Sequence, residues 1–153
     1  MLTDEQLKEK ILSIYKDATF EDGSRTFTAV VPSAELHNMA EQLKNDEETG
    51  FDFLFCQTGV DYPEHMIVVY HLRSTHHGHC LFLKAKIEDR INPHIDTVYD
   101  LWKTAEFHER EIYDLFGIVF DNHPDLRRIF LDDDWVGYPL RKDYVDEINI
   151  VEL

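Results

Sequence analysis

From Cys80 to Ile87 apolar and polar side chains alternate, with Leu81, Leu83, Ala85 and Ile87 on one side and Lys84 and Lys86 on the other. A period of two fits a β-strand with one face in a core and cannot form the stripe of an amphipathic helix. Two more strand-like runs precede it, Phe51 to Cys56 and Met66 to Leu72. The links through Asp61-Tyr62-Pro63-Glu64 and Ser74 to His79 are short enough for antiparallel hairpins. Upstream, Phe27, Ala29 and Val31 alternate with Thr26, Thr28 and Val30, which reads as a further strand.

These strands need a partner layer. Thr3 and Gln6 form a capping box, and Leu7, Ile11 and Ile14 then share one face of a helix from about residue 4 to 16. Gly23 breaks the pattern. Pro32-Ser33 opens a second helix whose stripe is Leu36, Met39, Ala40 and Leu43, ended by the charged loop Asn45 to Gly50. Asp96 is a fair N-cap for a helix over Thr97 to Trp102, and another runs from Ala105 to Phe116 and stops at Gly117. The expected fold is therefore α+β: a two-layer sandwich of helices on a mostly antiparallel sheet. Residues 1–120 form the globular part and 121–153 an extended C-terminal tail, within one domain.

Composition narrows the function classes. The chain has 153 residues, 43% hydrophobic, with 10 Phe, 7 Tyr and 2 Trp, enough for one real core. Its net charge of −16 repels nucleic-acid phosphates and anionic headgroups, so neither is expected as a direct partner. No apolar run approaches a membrane span. The start Met1-Leu2-Thr3-Asp4-Glu5 is acidic where a signal peptide is basic, so the chain is expected to stay in the cytoplasm. Cys56 and Cys80 lack a CxxC spacing and read as buried free thiols.

Catalytic machinery is hard to find. No G-x-G-x-x-G, Walker loop or G-x-S-x-G elbow is present, and two cysteines cannot hold an iron–sulfur cluster. His76-His77-Gly78-His79-Cys80 carries metal-ligand types, but neighbours in one short turn rarely close a tetrahedral site without ligands from elsewhere, such as His108. A hydrated hairpin turn is the simpler reading. In His108-Glu109-Arg110-Glu111-Ile112-Tyr113-Asp114, Glu109 and Glu111 project from different sides of a helix and form no dyad. Arg110 and Asp114, four apart, are placed to pair with each other. The region after Pro124 differs in kind. Arg127-Arg128 and Arg141-Lys142 lie among Ile129, Phe130, Leu131, Trp135, Tyr138, Leu140 and Tyr144. Arg and aromatics dominate interface hot spots, so this tail is expected to bind a partner or wrap its own domain.

Two stretches here resemble a known family. Glu109-Arg110-Glu111-Ile112-Tyr113-Asp114-Leu115-Phe116-Gly117-Ile118 followed by His123-Pro124-Asp125-Leu126-Arg127-Arg128-Ile129 looks like the signature of the 30-kilodalton subunit, the C subunit, of the NADH:quinone oxidoreductase called complex I. Asp134-Trp135-Val136-Gly137-Tyr138-Pro139-Leu140-Arg141-Lys142-Asp143-Tyr144 resembles the segment that comes after it there. Leu101, Trp102 and Ala105 also sit as in the family, with Phe107 where Trp is usual.

The resemblance implies a two-layer α+β subunit of the peripheral arm, at the cytoplasmic face of the cell membrane, touching the membrane only through its complex. It implies no cofactor in this chain; FMN and iron–sulfur clusters belong to other subunits, and NADH and quinone are the substrates of the whole. It implies tight pairing with the quinone-site D subunit, to which the 30-kilodalton subunit is fused in some bacteria, and contact with other peripheral-arm subunits. The residues expected to serve this role are those of the motifs: Glu109, Arg110, Glu111, Tyr113, Asp114, Phe116, Gly117, His123, Pro124, Asp125, Arg127, Arg128, Trp135, Pro139, Leu140, Arg141, Lys142, Asp143 and Tyr144. Arg127, Arg128, Arg141 and Lys142 are expected to meet partner carboxylates. Related subunits occur in membrane-bound hydrogenases, formate hydrogenlyase and F420-linked dehydrogenases. A small metal-dependent enzyme and a stand-alone binding domain remain the readings from other classes.

Overall fold

The structure, a computed structural model, describes residues 1–23 and 25–146. Helix α1 (Asp4–Ile14) starts at the expected capping box: Thr3 accepts from the Gln6 amide while the Gln6 side chain accepts from the Thr3 amide. It buries Leu7 and Ile11 and ends at Ile14, because Tyr15 is already extended. Strand β1 (Thr19–Glu21), which the sequence pattern does not reveal, pairs antiparallel with β2 (Thr28–Pro32). A short 3-10 turn, Ser33–Glu35, leads into α2 (Leu36–Asn45), whose four expected stripe residues Leu36, Met39, Ala40 and Leu43 are all buried.

The central strands are β3 (Phe53–Asp61), β4 (Met66–Arg73) and β5 (Cys80–Ile87), joined by the two expected hairpins. They and the first hairpin make one sheet in the order β1-β2-β5-β4-β3. It is mostly antiparallel, as expected, but β2 and β5 run parallel. Helix α2 sits on the crossover from β2, which lets the chain enter β3 in the direction that makes β5 parallel to β2.

Strand β3 begins later and runs further than expected, to Asp61, and Phe51 leaves the strand to become part of the core. A bulge between Leu54 and Cys56 turns Phe55 outward. The cysteines are free but half-buried, not buried as expected, because their positions fall on the outer face of the sheet.

The expected helix at Thr97–Trp102 does not form. Instead β6 (His94–Asp96) pairs in parallel with β7 (Val119–Asp121), and a single turn comes after β6, with the Trp102 amide on the Val98 carbonyl at 2.8 Å. The groups that would have opened a helix are taken: the Thr97 hydroxyl and the Val98 amide both donate to Glu109.

Helix α3 (Ala105–Phe116) has the expected bounds, ending at Gly117 in the left-handed region (φ 73°). It lies on the inner face of β3, where Gly59 makes the close approach possible; a Cβ there would come within 2.9 Å of the Phe116 ring. The helices thus cover one face of the sheet, and Leu54, Val68, Tyr70, Leu72, Leu81 and Leu83 meet them in the core.

Candidate functional site

The motif residues converge on the C-terminal half of α3 and on the segment 122–146 that folds back over it. Helix ends leave carbonyls without intrahelical partners, at the negative end of the helix dipole. The segment supplies the missing donors in turn. Arg128 Nη1 donates to the Asp114 carbonyl at 2.9 Å, the Leu140 amide to Leu115 at 3.0 Å, and Arg141 Nε to Phe116 at 2.6 Å. Tyr138 lies between the two guanidinium groups, 5.1 Å from each, and over Gly117, where any Cβ would strike its ring at 2.6 Å.

Asp114 is the centre of this arrangement. It is fully buried, and its Oδ2 accepts from three successive backbone amides, Ile129 (3.1 Å), Phe130 (2.7 Å) and Leu131 (3.0 Å). Its Oδ1 accepts from Arg128 Nη1 at 2.8 Å. Burial alone would push this carboxyl up; the Arg128 guanidinium and the three amides outweigh it and hold the group below its ordinary value. Arg128 Nη2 then reaches the carbonyls of Trp135 and Gly137, both at 3.0 Å.

The expected Arg110–Asp114 pair is therefore absent. Arg110 turns instead to the carbonyls of Arg127 (3.2 Å) and Arg128 (3.0 Å), since those acceptors are brought within reach by the returning segment. The expectation that the basic pairs face partner carboxylates is revised for most of them in the same way. Arg128 and Arg141 are engaged within the chain, and Arg127 lies on Asp125. The Lys142 backbone amide donates to Asp61 at 2.7 Å, and its ammonium lies over the Tyr62 ring.

Glu109 faces the other way, into the body, and is fully buried. It accepts from the Val98 amide at 2.9 Å and from the Thr97 hydroxyl. Burial pushes its carboxyl up to about 7, against those two donors. His123 comes within 3.8 Å of it, yet the imidazole Nε2 donates to the Glu106 carbonyl at 3.0 Å and Nδ1 accepts from the Asp125 amide. That fixes the tautomer and ties the start of the segment to α3. Glu111 is exposed, and Tyr113 packs edge-on against Tyr138. Tyr144 closes over Gly137, itself at φ 86°.

Two anchors are not visible in the sequence pattern. Asp61 and Arg90 make a two-pronged ion pair (2.9 and 2.8 Å), and Arg90 Nη1 also donates to Asp143 at 3.0 Å, pinning the segment to the end of β3. The one local signal is a carboxylate at the end of a strand that carries no other charge. Arg128 and Arg141 are turned inward, and beside the exposed Asp132, Asp133 and Asp134 the segment shows solvent several apolar groups: Phe130 is 65% exposed, Val136 86% and Leu140 52%, with Ile129, Trp135 and Val145 also exposed. Together with Phe107 of α3 these form the candidate docking surface. Residues 147–153, the rest of the expected tail, lie outside the described residues.

The histidine turn is built from backbone bonds. His77 Nε2 bonds the Glu47 carbonyl and His79 Nε2 that of Thr49, while His79 Nδ1 accepts from the Leu2 amide. Among the described residues no group of three His, Cys, Asp or Glu side chains is placed to hold a metal. No helix among them is long and apolar enough to cross a membrane.

The chain is similar to known proteins. A match to the family described as "Respiratory-chain NADH dehydrogenase, 30 Kd subunit" spans residues 29–148. The chain is 47% identical over 120 residues to the C/D subunit of an NADH-quinone oxidoreductase of Phocaeicola vulgatus, covering 78% of this chain and 23% of that one. It is 47% identical over 104 residues to the C subunit of the Chloroherpeton thalassium enzyme (67% and 43% covered). It is 38% identical over 143 residues to the C subunit from Mycolicibacterium paratuberculosis (91% and 57% covered). It thus spans about a quarter of the C/D relative and about half the length of the C relatives. Among solved structures, a chain of the membrane-bound sulfane sulfur reductase, an archaeal respiratory membrane complex, superposes with a TM-score of 0.77 at 27% identity, over 94% of this chain and 86% of that one. On the family match and these identities, this chain belongs to the 30-kilodalton subunit family of respiratory-chain NADH dehydrogenase.

Proposed function

We propose that this chain is a non-catalytic subunit of the peripheral arm of an NADH:quinone oxidoreductase, bracing the quinone-site D subunit through the surface formed by segment 122–146 and α3. The observation that carries the reading is the apolar side chains that the anchored segment leaves uncovered. Arg128, Arg141 and the amides of residues 129–131, 140 and 142 are satisfied by α3 and Asp61, while Phe130, Val136 and Leu140 are left to water. Exposing several large apolar groups on an ordered, rigid backbone is costly unless a partner covers them. Relatives named as the C/D subunit carry both names on one chain, which supports a lasting contact between the two parts.

In this reading the chain holds no cofactor; FMN and the iron–sulfur clusters sit in other subunits. Cys56 and Cys80 are too few for a cluster. The chain reaches the cytoplasmic face of the membrane through its complex. The test is affinity purification of the tagged chain from its own membranes, with mass spectrometry of the proteins that co-purify. Recovery of the D subunit and the NADH-binding subunits is expected, and the double change Phe130→Asp, Val136→Asp should reduce recovery of the D subunit at least tenfold. Normal recovery with the double variant would sink the docking surface. The likeness to a chain of an archaeal sulfane sulfur reductase favours one second reading, the equivalent brace in a complex with another donor. Recovery of hydrogenase-type or F420-linked subunits instead of NADH-binding ones would select it.

A further inference from the structure

The helices and segment 122–146 occupy the inner side and the β3 end of the sheet; the opposite face carries a second apolar surface. Phe53, Phe55, His71 and Phe82 form a continuous row across β3, β4 and β5, with ring centroids 6.1, 5.0 and 4.6 Å apart along it. Phe55 is 57% exposed and Phe53 40%, because the bulge at this point puts both on the outside. Further along β4 on the same face, Ile67 is buried although it lies outside the core cluster.

The charges on this face are of one dominant sign in a chain of net −16. Lys84 and Lys86 project from β5 and are held by Glu21 and Glu88 at the borders. Arg73, the register partner of Phe53, is exposed, and among the described residues it makes no ion pair. Burial, and then Arg73 itself, hold the His71 imidazole below its ordinary value, so the row is uncharged near neutrality while Arg73 beside it is not. An aromatic row with an unpaired arginine at its end has the composition of an interface hot spot.

We propose that the outer face of β3–β5 is a second protein-docking surface, seating an amphipathic segment of another polypeptide that lays apolar side chains on Phe55 and Phe82 and a carboxylate on Arg73. Such a segment would complete a third layer on a sheet whose first partner layer is its own helices. The occupant is not a second copy of this chain, since two bodies of net −16 repel. Nor is it an anionic lipid surface, which the same field disfavours.

The test places photo-reactive p-benzoylphenylalanine at Phe55, and separately at Phe130, in the intact complex in its native membrane, and maps the crosslinked peptides. From position 55 we expect one peptide of another polypeptide, apolar and containing Asp or Glu, different from the peptide reached from position 130. Arg73→Glu should cut the adduct from 55 at least tenfold and leave that from 130 unchanged. Because Arg73 is exposed, the thermal midpoint of the isolated variant should match the parent and exclude a folding defect. An adduct to lipid, to a second copy, or to the same peptide as position 130 overturns the proposal, as does silence at 55 while 130 reacts. Silence at 130 with the expected adduct at 55 overturns the docking surface of segment 122–146 alone, so the two can fail separately.

Discussion

The body and the C-terminal segment of this chain are held by opposite means. The body, through Phe120, is a packed apolar core in which Leu36, Met39 and Leu43 of α2 and Leu81 and Leu83 of β5 are fully buried. The segment 122–146 contributes only Leu126 to the margin of that core. Hydrogen bonds, most of them to charged groups, hold it: Asp114 to three amides, Arg128 to three carbonyls and a carboxylate, Arg90 to Asp143. Apolar burial is tolerant of small shifts, whereas charged hydrogen bonds fix direction. The docking ridge proposed for this segment would need direction, and the segment is built from the interactions that supply it.

The sharpest way to break the comparison is Asp114→Ala. It leaves three amides unpaired and Arg128 without its carboxylate, and removing one partner of a buried charge pair costs about 3–5 kcal/mol. We expect amide exchange at Ile129, Phe130 and Leu131 to accelerate by at least a hundredfold while the strands β3–β5 stay protected. Equal acceleration throughout would mean that the segment and body are one cooperative unit.

Next comes pH, which should pull the two regions apart. The Glu109 carboxyl, near 7 when folded against an ordinary value of 4.5, stabilises the body fully only below the lower value, and the contribution is lost as pH rises through 7. The difference is on the order of 3 kcal/mol. Asp114 has the opposite sign: its contribution is present above the ordinary aspartate value and lost as pH falls below it. Urea titrations between pH 4.5 and 8 should show the parent losing stability with pH relative to Glu109→Gln. A parallel decline in both would remove Glu109 as the cause. Below pH 4, exchange at residues 129–131 should rise first.

A smaller effect is expected at the junction. Gly117→Ala forces a left-handed alanine, about 1–2 kcal/mol, and displaces the Tyr138 ring. Proteolysis should then open the chain after Arg127 or Arg128 before it touches β4. The smallest effect belongs to Arg127→Ala. Its partner Asp125 is exposed and two residues away, so thermal stability should move by no more than about 0.5 kcal/mol. A large loss there would show that exposed pairs matter to the segment as much as buried ones.

Much of the body was legible in the sequence because its signals are periodic. The stripe of α2, the alternation of β5 and the stop at Gly117 each come from one local rule. What escaped depended on distant groups. The parallel pairing of β2 with β5 is set by a crossover, and β6 and β7 are three residues each, too short for any period. Asp96 looked like a helix cap, but the donors beyond it had already been claimed by Glu109, twelve residues on from Thr97. Arg110 and Asp114 have ideal spacing for each other, and only the returning segment offers each a better partner. The motif residues stand out through resemblance rather than through any period. Their inward orientation, and the anchors Asp61 and Arg90, needed three dimensions.

The cradle of three amides around Asp114 makes order in residues 129–131 conditional on α3, as the Asp61 carboxylate makes order at Lys142 conditional on the end of β3. An unfolded body has neither carboxylate in place, so it presents no shaped ridge. A partner that grips the ridge therefore recognises only folded molecules, and by mass action it stabilises them; at a hundred times its dissociation constant the gain is about 2.7 kcal/mol. Assembly and folding become one equilibrium, in which the partner reads at the surface whether a carboxylate inside has found its place.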